Sequence, residues 1–80
     1  MKVAVHLTAT LRGYLPPGTR GDHVVLDVPD GTTVDQVIDS LRIPSELERL
    51  TVVNGRDVAP DQRLVEGDVL SVFPPLAGGR

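Results

Sequence analysis

The residues most able to take part in chemistry stand at the end of the chain, where residues 73–80 read FPPLAGGR. Gly78 and Gly79 have no Cβ, so they can pass through a channel that is too narrow for other residues. Structural glycines usually lie in turns between elements, whereas no element follows this pair. We therefore predict a tail that is inserted into the active site of a partner, where the carboxyl carbon of Gly79 is the substrate.

The residues before the glycines fit the same role. Pro74 and Pro75 favour an extended polyproline geometry, so ordering the tail costs less entropy than ordering an all-glycine arm. Six extended residues, 74–79, span about 20 Å at roughly 3.3 Å each. Such a tail can enter a buried cleft while the globular body stays outside. A buried destination matters because water would hydrolyse an activated acyl group.

Composition bounds the rest of the chain. Its 80 residues are enough for one domain with a small core. The absence of cysteine excludes disulfides, thiolate metal sites and thiol nucleophiles, and it fits a cytoplasmic location. No apolar run approaches membrane-spanning length. The net charge of -3, with Lys2 as the only lysine, gives no basic patch. We therefore expect neither a membrane nor a nucleic acid as a partner.

Hydrophobic periodicity predicts the order strand, strand, helix, strands. Apolar and polar residues alternate over 2–8 and 23–28, as they do in half-buried strands. Asn54-Gly55 is the strongest short-range signal of a hairpin, because a type I′ turn needs positive φ at both central residues. A turn with the sequence EGD then leads into a last strand, predicted over 69–73.

A helix is predicted between the second strand and the hairpin. Thr33 and Gln36 have the spacing of a capping box, which marks a helix N-terminus. Apolar residues at i, i+3, i+4 and i+7 then describe one stripe, formed by Val34, Val37, Ile38 and Leu41. A second, short capped turn is predicted over 46–49.

A hairpin, one crossing helix and returning strands predict a β-grasp fold of the α+β class. We expect a mixed sheet of four to five strands with one main helix packed on one face. The final strand pairs beside the first, and Val24 and Leu26 are expected in the core between sheet and helix. These elements predict a domain over 1–73 and a flexible C-terminal tail over 74–80.

Three motifs carry a family resemblance. They are Asn54-Gly55-Arg56, the LxEGDxL turn over 64–70 and the FPPxAGG ending over 73–79. Together they resemble the MoaD/ThiS family of sulfur-carrier proteins, within the ubiquitin-like β-grasp superfamily. The ending is the most specific of the three, and its Phe-Pro-Pro favours the molybdopterin synthase small subunit within the family.

This resemblance implies a protein cosubstrate rather than an enzyme. An ATP-dependent enzyme would adenylate the Gly79 carboxylate, which then becomes a thiocarboxylate that donates sulfur. The resemblance implies no bound cofactor, because the partner enzyme uses the ATP. The implied partners are that adenylating enzyme and a sulfur-accepting synthase, such as the large molybdopterin synthase subunit. Thiamine and amino-acid sulfur pathways are the other implied acceptors.

Arg80 departs from the family pattern, because activation needs a free carboxylate on Gly79. Either Arg80 is a remnant of how the chain was made, or a peptidase removes it first. Some carriers of this superfamily are made with extra C-terminal residues that a metallopeptidase trims. We therefore predict that the intact chain is inactive and that trimming to Gly79 enables adenylation.

Docking requires a surface as well as a tail. Alternation along the last strand directs Leu70 and Val72 inward and Phe73 outward, with Val53 or Ala4 expected near it. The predicted partner interface consists of Phe73, Pro74, Pro75, Leu76 and Ala77. The alternatives are that Phe73 packs over the sheet edge as ordinary core and that Leu76 folds back onto the domain.

Other readings of the sequence also stay open. In one, the chain is a protein modifier and Gly79 forms an isopeptide bond with target lysines. In another, it is a passive β-grasp interaction module with an accidental glycine tail. His6, on an outward face, is expected to be a solvated sheet histidine. Since neither His23 nor a carboxylate is expected at metal-ligand spacing from it, no metal site is predicted.

Overall fold

The computed structural model describes residues 1–19, 21–44 and 49–74. Its strands are β1 (Lys2–Leu7), β2 (His23–Asp27), β3 (Leu50–Val53), β4 (Arg56–Asp57) and β5 (Val69–Phe73). Its helical segments are a 3-10 helix (Ala9–Tyr14) and α1 (Val34–Ser40). The predicted capped turn over 46–49 falls outside the described residues, apart from its last one.

All five strands join one mixed sheet in the order β2-β1-β5-β3-β4. β1 and β5 run parallel, and the other neighbouring pairs are antiparallel. Parallel strands need a crossover connection, and α1 lies within the one that joins these two. This order confirms the predicted β-grasp architecture and places β5 in the middle of the sheet, beside β1.

The N-terminus of α1 is the predicted capping box. The Thr33 hydroxyl oxygen accepts a hydrogen bond from the Gln36 backbone N–H at 3.2 Å, and Gln36 Oε1 accepts one from the Thr33 N–H at 2.9 Å. These bonds satisfy donors that the first turn of a helix leaves without an intrahelical partner. The helix ends at Ser40. Within the described residues, no helix has the length and apolar surface that crossing a membrane requires.

The apolar stripe of α1 packs against one face of the sheet. All four predicted stripe residues are buried, and Val34 and Ile38 are fully so. The central strands contribute the residues that meet them, each 0% exposed: Val3, Val5, Leu7, Leu70 and Val72. The face that receives α1 is therefore the core face, and we call the opposite face the open face.

The expectation that Val24 and Leu26 are core residues is wrong. Both side chains are only partly buried and pack against the core at its margin. The reason lies in the topology, because β2 is the outermost strand on its side of the described sheet. A side chain on an edge strand has a neighbouring strand on one side only.

The turn between β3 and β4 has the predicted geometry. Asn54 and Gly55 have φ values of 52° and 85°. Positive φ at both central residues is characteristic of a type I′ turn, whose twist matches that of the flanking strands.

Asp68 joins this hairpin to the start of β5. Its two carboxylate oxygens accept hydrogen bonds from the Asn54 side-chain amide at 2.9 Å and from the Val65 N–H at 2.8 Å. The Asn54 side-chain oxygen accepts in turn from the Val69 N–H at 2.9 Å. The Asp68 carbonyl accepts from the Ala4 N–H at 2.9 Å. These bonds fix the start of β5 against both β1 and the β3–β4 hairpin.

We expect Asp68→Ala to lower the free energy of unfolding by about 2–4 kcal/mol, because two donors lose a charged acceptor. In a domain of this size that corresponds to a fall in Tm of roughly 10 °C or more. Urea unfolding measures the change. Asp61→Ala is the control, because Asp61 is exposed, and it should shift the unfolding free energy by less than about 0.5 kcal/mol. Equal stability of the two variants would contradict the role assigned to Asp68.

Candidate functional site

The chain enters its tail from the centre of the sheet. β5 pairs with β1 on one side and with β3 on the other. Near its end, Thr8 donates its backbone N–H and its hydroxyl to the Val72 carbonyl, at 3.3 and 3.4 Å. On the other side, Phe73 is the cross-strand partner of Leu50. Neighbouring strands therefore hold the backbone on both sides up to the last residues before the tail.

Of the predicted site residues, the structure describes Phe73 and Pro74, and both are half-buried. Pro74 follows the last residue of β5. Because proline has no backbone N–H, it cannot donate to the ladder there. The other predicted site residues lie outside the described part of the chain: Pro75, Leu76, Ala77, Gly78 and Gly79. Their roles stay predictions, and so does the alternative in which Leu76 folds back.

Phe73 lies on the open face. Along β5, Leu70 and Val72 are fully buried on the core face, whereas Ser71 and Phe73 alternate with them and are half-buried. This period of two is that of a strand with one covered face. The tail therefore begins beside an aromatic ring on the side of the sheet that α1 does not cover.

The predicted neighbours of Phe73 are wrong. Val53 is the cross-strand partner of Leu70 and is buried with it on the core face. Ala4 is on the open face, but its partner is Val69, at the opposite end of β5. The strand register instead places Phe73 opposite Leu50, which the sequence analysis did not single out.

Cross-strand register arranges the open face in four rows that run across the sheet. From the tail end, the rows are Phe73–Leu50, then His23–His6–Ser71–Val52, then Val25–Ala4–Val69, and finally Asp27–Lys2. Three aliphatic side chains in these rows are prominently exposed, namely Val25 at 61%, Leu50 at 53% and Val69 at 43%. Two apolar rows are thus separated by the polar row of His23, His6 and Ser71, and the charged Asp27–Lys2 row forms the end of the open face far from the tail. Exposed apolar surface of this kind is typical of interaction sites.

The polar middle row contains a histidine–carboxylate cluster. His6 and His23 are cross-strand partners, with ring centroids 6.4 Å apart and an interplanar angle of 88°. The Asp22 carboxylate contacts both, at 2.8 Å from His6 Nε2 and 3.5 Å from His23 Nδ1. The structure thus places a second histidine and a carboxylate beside His6, which the sequence alone did not show. Among the described residues, however, no group of three or more His, Cys, Asp or Glu side chains could hold a metal ion.

The contact with His6 also changes the acidity of Asp22. That hydrogen bond is the largest influence and holds the pKa of Asp22 below its ordinary value, while partial burial acts in the opposite direction. A lowered carboxyl pKa contributes stability above the pKa of the unfolded chain, and this contribution is lost as the pH falls through the folded-state pKa. The Asp22 carboxylate therefore stays ionised to a lower pH than an ordinary aspartate does.

Sequence reasoning missed Leu50 and Asp22 for the same reason. Each becomes a neighbour of a predicted residue only through the register of two strands that are distant in sequence. Leu50 meets Phe73 across the β3–β5 pair, and Asp22, which directly precedes β2, contacts His6 of β1. The alternation of each strand shows which face a residue takes, but it does not show which residue stands opposite.

Solved structures of known proteins share this fold. A protein described as molybdopterin converting factor subunit 1 of Pyrococcus furiosus is 29% identical, with a TM-score of 0.76, and the match covers 94% of this chain and 98% of that one. Haloferax volcanii small archaeal modifier protein 1 is 25% identical, with a TM-score of 0.74 and the same coverage of 94% and 98%. A chain of the Helicobacter pylori complex of molybdopterin-converting factor subunits 1 and 2 is 18% identical, with a TM-score of 0.63. The match covers 99% of this chain and 100% of that one, and it shows similarity of fold alone. No curated protein sequence matches the chain.

The family assignment rests on the match to a family model and not on these single pairs. A model of the ThiS family matches residues 6–79, which include β2 to β5, α1 and both glycines of the tail. Of the matched residues, those that the structure describes form the β-grasp body and the root of the tail. This chain belongs to the ThiS family, the small ThiS/MoaD-like carrier proteins.

Proposed function

We propose that this protein is a sulfur carrier whose reacting group is the carboxylate of Gly79. The observation that carries the proposal is the family match, which extends through Gly78 and Gly79 and stops before Arg80. The position of β5 supports it, because the strand that leads into the tail is paired on both sides. In this proposal partners bind the folded domain, and the C-terminal tail carries the reacting group.

The proposed chemistry has two steps. A carboxylate oxygen of Gly79 attacks the α-phosphorus of ATP, which forms an acyl-adenylate and releases pyrophosphate. A sulfide equivalent then adds to the acyl carbon and displaces AMP, which leaves a thiocarboxylate. Adenylation is needed because a carboxylate resists nucleophiles, whereas AMP is a good leaving group. The partner enzymes provide the acid–base groups and exclude water from the activated acyl group.

Partner recognition is proposed to use the open face beside the tail. Phe73 lies next to the exposed Leu50 at the end of β5 from which the tail departs. A partner that covers this row buries apolar surface and aligns the tail with its own cleft in the same contact. Buried aromatic residues near the centre of an interface often dominate its energy. We therefore assign Phe73, together with Leu50, the role of an anchor for the adenylating enzyme.

Molybdopterin synthesis in the cytoplasm is the acceptor pathway that we propose. The Phe-Pro-Pro motif at residues 73–75 favours the small subunit of molybdopterin synthase, whose large subunit would take the sulfur. The Pyrococcus furiosus relative, described as molybdopterin converting factor subunit 1, supports the same assignment. A neighbouring gene for a large synthase subunit would favour it, whereas one for a thiazole synthase or a sulfhydrylase would favour another acceptor.

Protein modification is the second candidate function. It is favoured by the similarity to Haloferax volcanii small archaeal modifier protein 1. In that case the activated Gly79 carbonyl is attacked by a target lysine amine, and an isopeptide bond replaces the bond to the leaving group. Conjugates that persist on a denaturing gel and disappear when Gly78 and Gly79 are deleted would distinguish this function from sulfur transfer.

We expect thiocarboxylate formation only on a chain that ends at Gly79. The intact chain should not react, because the Gly79 carbonyl is held in a peptide bond with Arg80. Both forms are incubated with ATP, a sulfide source and the cognate activating enzyme, and then weighed by mass spectrometry. The trimmed form should gain the mass difference between sulfur and oxygen.

A chain that ends at Ala77 is the control for this experiment, because it has a free carboxylate without the diglycine. Equal mass gain by the intact chain would overturn the trimming requirement. If the trimmed form neither gains mass nor releases pyrophosphate with an enzyme that is active on its own carrier, the sulfur-carrier proposal fails.

Truncation of the proposed anchor should weaken binding to the activating enzyme. We expect Phe73→Ala to cost about 2 kcal/mol or more, which is roughly a 30-fold loss of affinity. Leu50→Asp should have a comparable effect without disturbing the core, since Leu50 is 53% exposed. Val65→Asp is the matched control, because Val65 is 62% exposed and lies away from β5 in the turn before it. Titration calorimetry with the trimmed chain measures the affinities, and an unchanged Kd for Leu50→Asp would exclude this row from the interface.

A further inference from the structure

β2 is an open edge of the sheet. It is the outermost strand on its side, and no other described strand pairs with its outer side. The opposite edge, β4, is only two residues long. An edge strand presents unpaired N–H and C=O groups that can add another strand, and very short edges avoid this risk. Of the two edges, β2 is therefore the one able to accept a further strand.

The hydrogen bonds to β1 show which backbone groups of this edge point away from the other described strands. Asp22 accepts at its carbonyl from the Leu7 N–H at 2.9 Å, and Val28 exchanges both of its backbone bonds with Met1, at 2.7 and 2.8 Å. In an antiparallel pair such bonded positions alternate with non-bonded ones. Val24 and Leu26 thus share the inward direction of those two residues. The remaining residues of β2 direct their N–H and C=O groups away from the sheet, and these are His23, Val25 and Asp27.

β2 lacks several of the features that protect an edge, and its one acidic residue, Asp27, stands at its end. Its sequence, HVVLD, contains neither proline nor lysine. Its register with β1 is continuous from Lys2↔Asp27 to His6↔His23, so no bulge twists the edge away. Val25, at the centre of the strand, is 61% exposed. This edge is straight, rich in β-branched residues and apolar at its midpoint.

The same edge is complementary to itself. If two copies of β2 run antiparallel about a two-fold axis at Val25, each Val25 stands opposite Val25 of the second copy, and each His23 stands opposite Asp27 of the second copy. The three outward residues of each strand then donate three hydrogen bonds and accept three, so every free group of the edge is paired. An isologous contact of this kind closes a dimer rather than propagating.

The side chains in that register also match. His23 contacts Asp22 through Nδ1, which leaves Nε2 for a second contact, and in the doubly protonated ring Nε2 donates to the Asp27 carboxylate of the second copy. Asp27 is 78% exposed at its side chain, and its nearest charged group is the amino terminus at 3.6 Å. On the core face, the half-buried Val24 of one copy contacts Leu26 of the other. This contact buries the apolar surface of both residues that a single copy leaves exposed at the edge of its core. Opposite-charge and apolar cross-strand pairs each favour strand association.

We propose that two copies of this chain associate through β2 to form a continuous sheet of ten strands, five from each copy. β1 separates β2 from β5, so the dimer leaves the Phe73–Leu50 row and the root of each tail uncovered. The association is therefore independent of the proposed sulfur chemistry and can occur in a chain that carries no activated tail. The contact is small, and an affinity in the weak range of about 10 μM to 1 mM is expected for it.

Sedimentation equilibrium of the full chain over a concentration series tests the proposal. The apparent mass should rise from 8.6 kDa towards twice that value. Val25→Lys should weaken the association at least tenfold, because it places two ammonium groups side by side at the two-fold axis. Val65→Lys is the matched control, with the same change at a side chain of equal exposure, 62% against 61%, and it should leave the association constant within twofold. A mass of 8.6 kDa at all concentrations up to about 1 mM would overturn the proposal, as would equal effects of the two variants.

Amide hydrogen exchange and a charge exchange test the register itself. The N–H groups of His23, Val25 and Asp27 should gain protection as concentration rises, whereas those of Val24 and Leu26 should be protected at every concentration. His23→Asp should weaken the dimer by placing two carboxylates opposite each other, and adding Asp27→His should restore it. Concentration-independent exchange at Val25, or no recovery in the double variant, would reject this pairing, and circular dichroism of each variant establishes that it is folded.

Discussion

The Asp68 carboxylate is the constraint on which the arrangement of the functional end depends. Asp68 is the one buried charged side chain among the described residues. Its hydrogen bonds to the hairpin and to the turn before β5 offset the free energy that its removal from water costs. Without these bonds, β5 could slip along β1. A slip of one residue would turn Phe73 to the core face and Val72 to the open face, because side chains alternate along a strand. The polar contact at one end of β5 and the burial of Leu70 and Val72 on the core face thus fix together which side chain stands beside the tail at the other end.

Much of this architecture follows from local sequence signals. The capping box at Thr33, the stripe on α1, the type I′ turn at Asn54 and the bounds of β5 each depend on residues that are close together in the chain, and the structure has all of them where the sequence predicts them. The family-specific ending could likewise be recognised from residues 73–79 alone. Local propensity, periodicity and turn chemistry agree with one another here, as they do in sequences that specify one fold.

The parts that could not be predicted all depend on long-range register. Phe73 pairs with Leu50, and Asp22 approaches His6, across segments that are far apart in the chain. The length of the connection between two strands does not determine which of their residues stand opposite each other. The same limit explains the error at Val24 and Leu26, because alternation assigns a face but does not show that a strand lies at an edge. Pairing order is set by the whole set of packed strands. It therefore becomes visible only when the sheet is assembled.

The pattern of the open face balances two opposing requirements. One helix can cover only one face of the sheet, so the other face meets water until a partner covers it. A wholly apolar open face would favour aggregation, whereas a wholly polar one would offer no anchor beside the tail. The polar row formed by His23, His6 and Ser71 separates the two apolar rows of the face. It limits the contiguous apolar area of the free chain and still leaves Phe73 and Leu50 together at the end where the chemistry is proposed to occur.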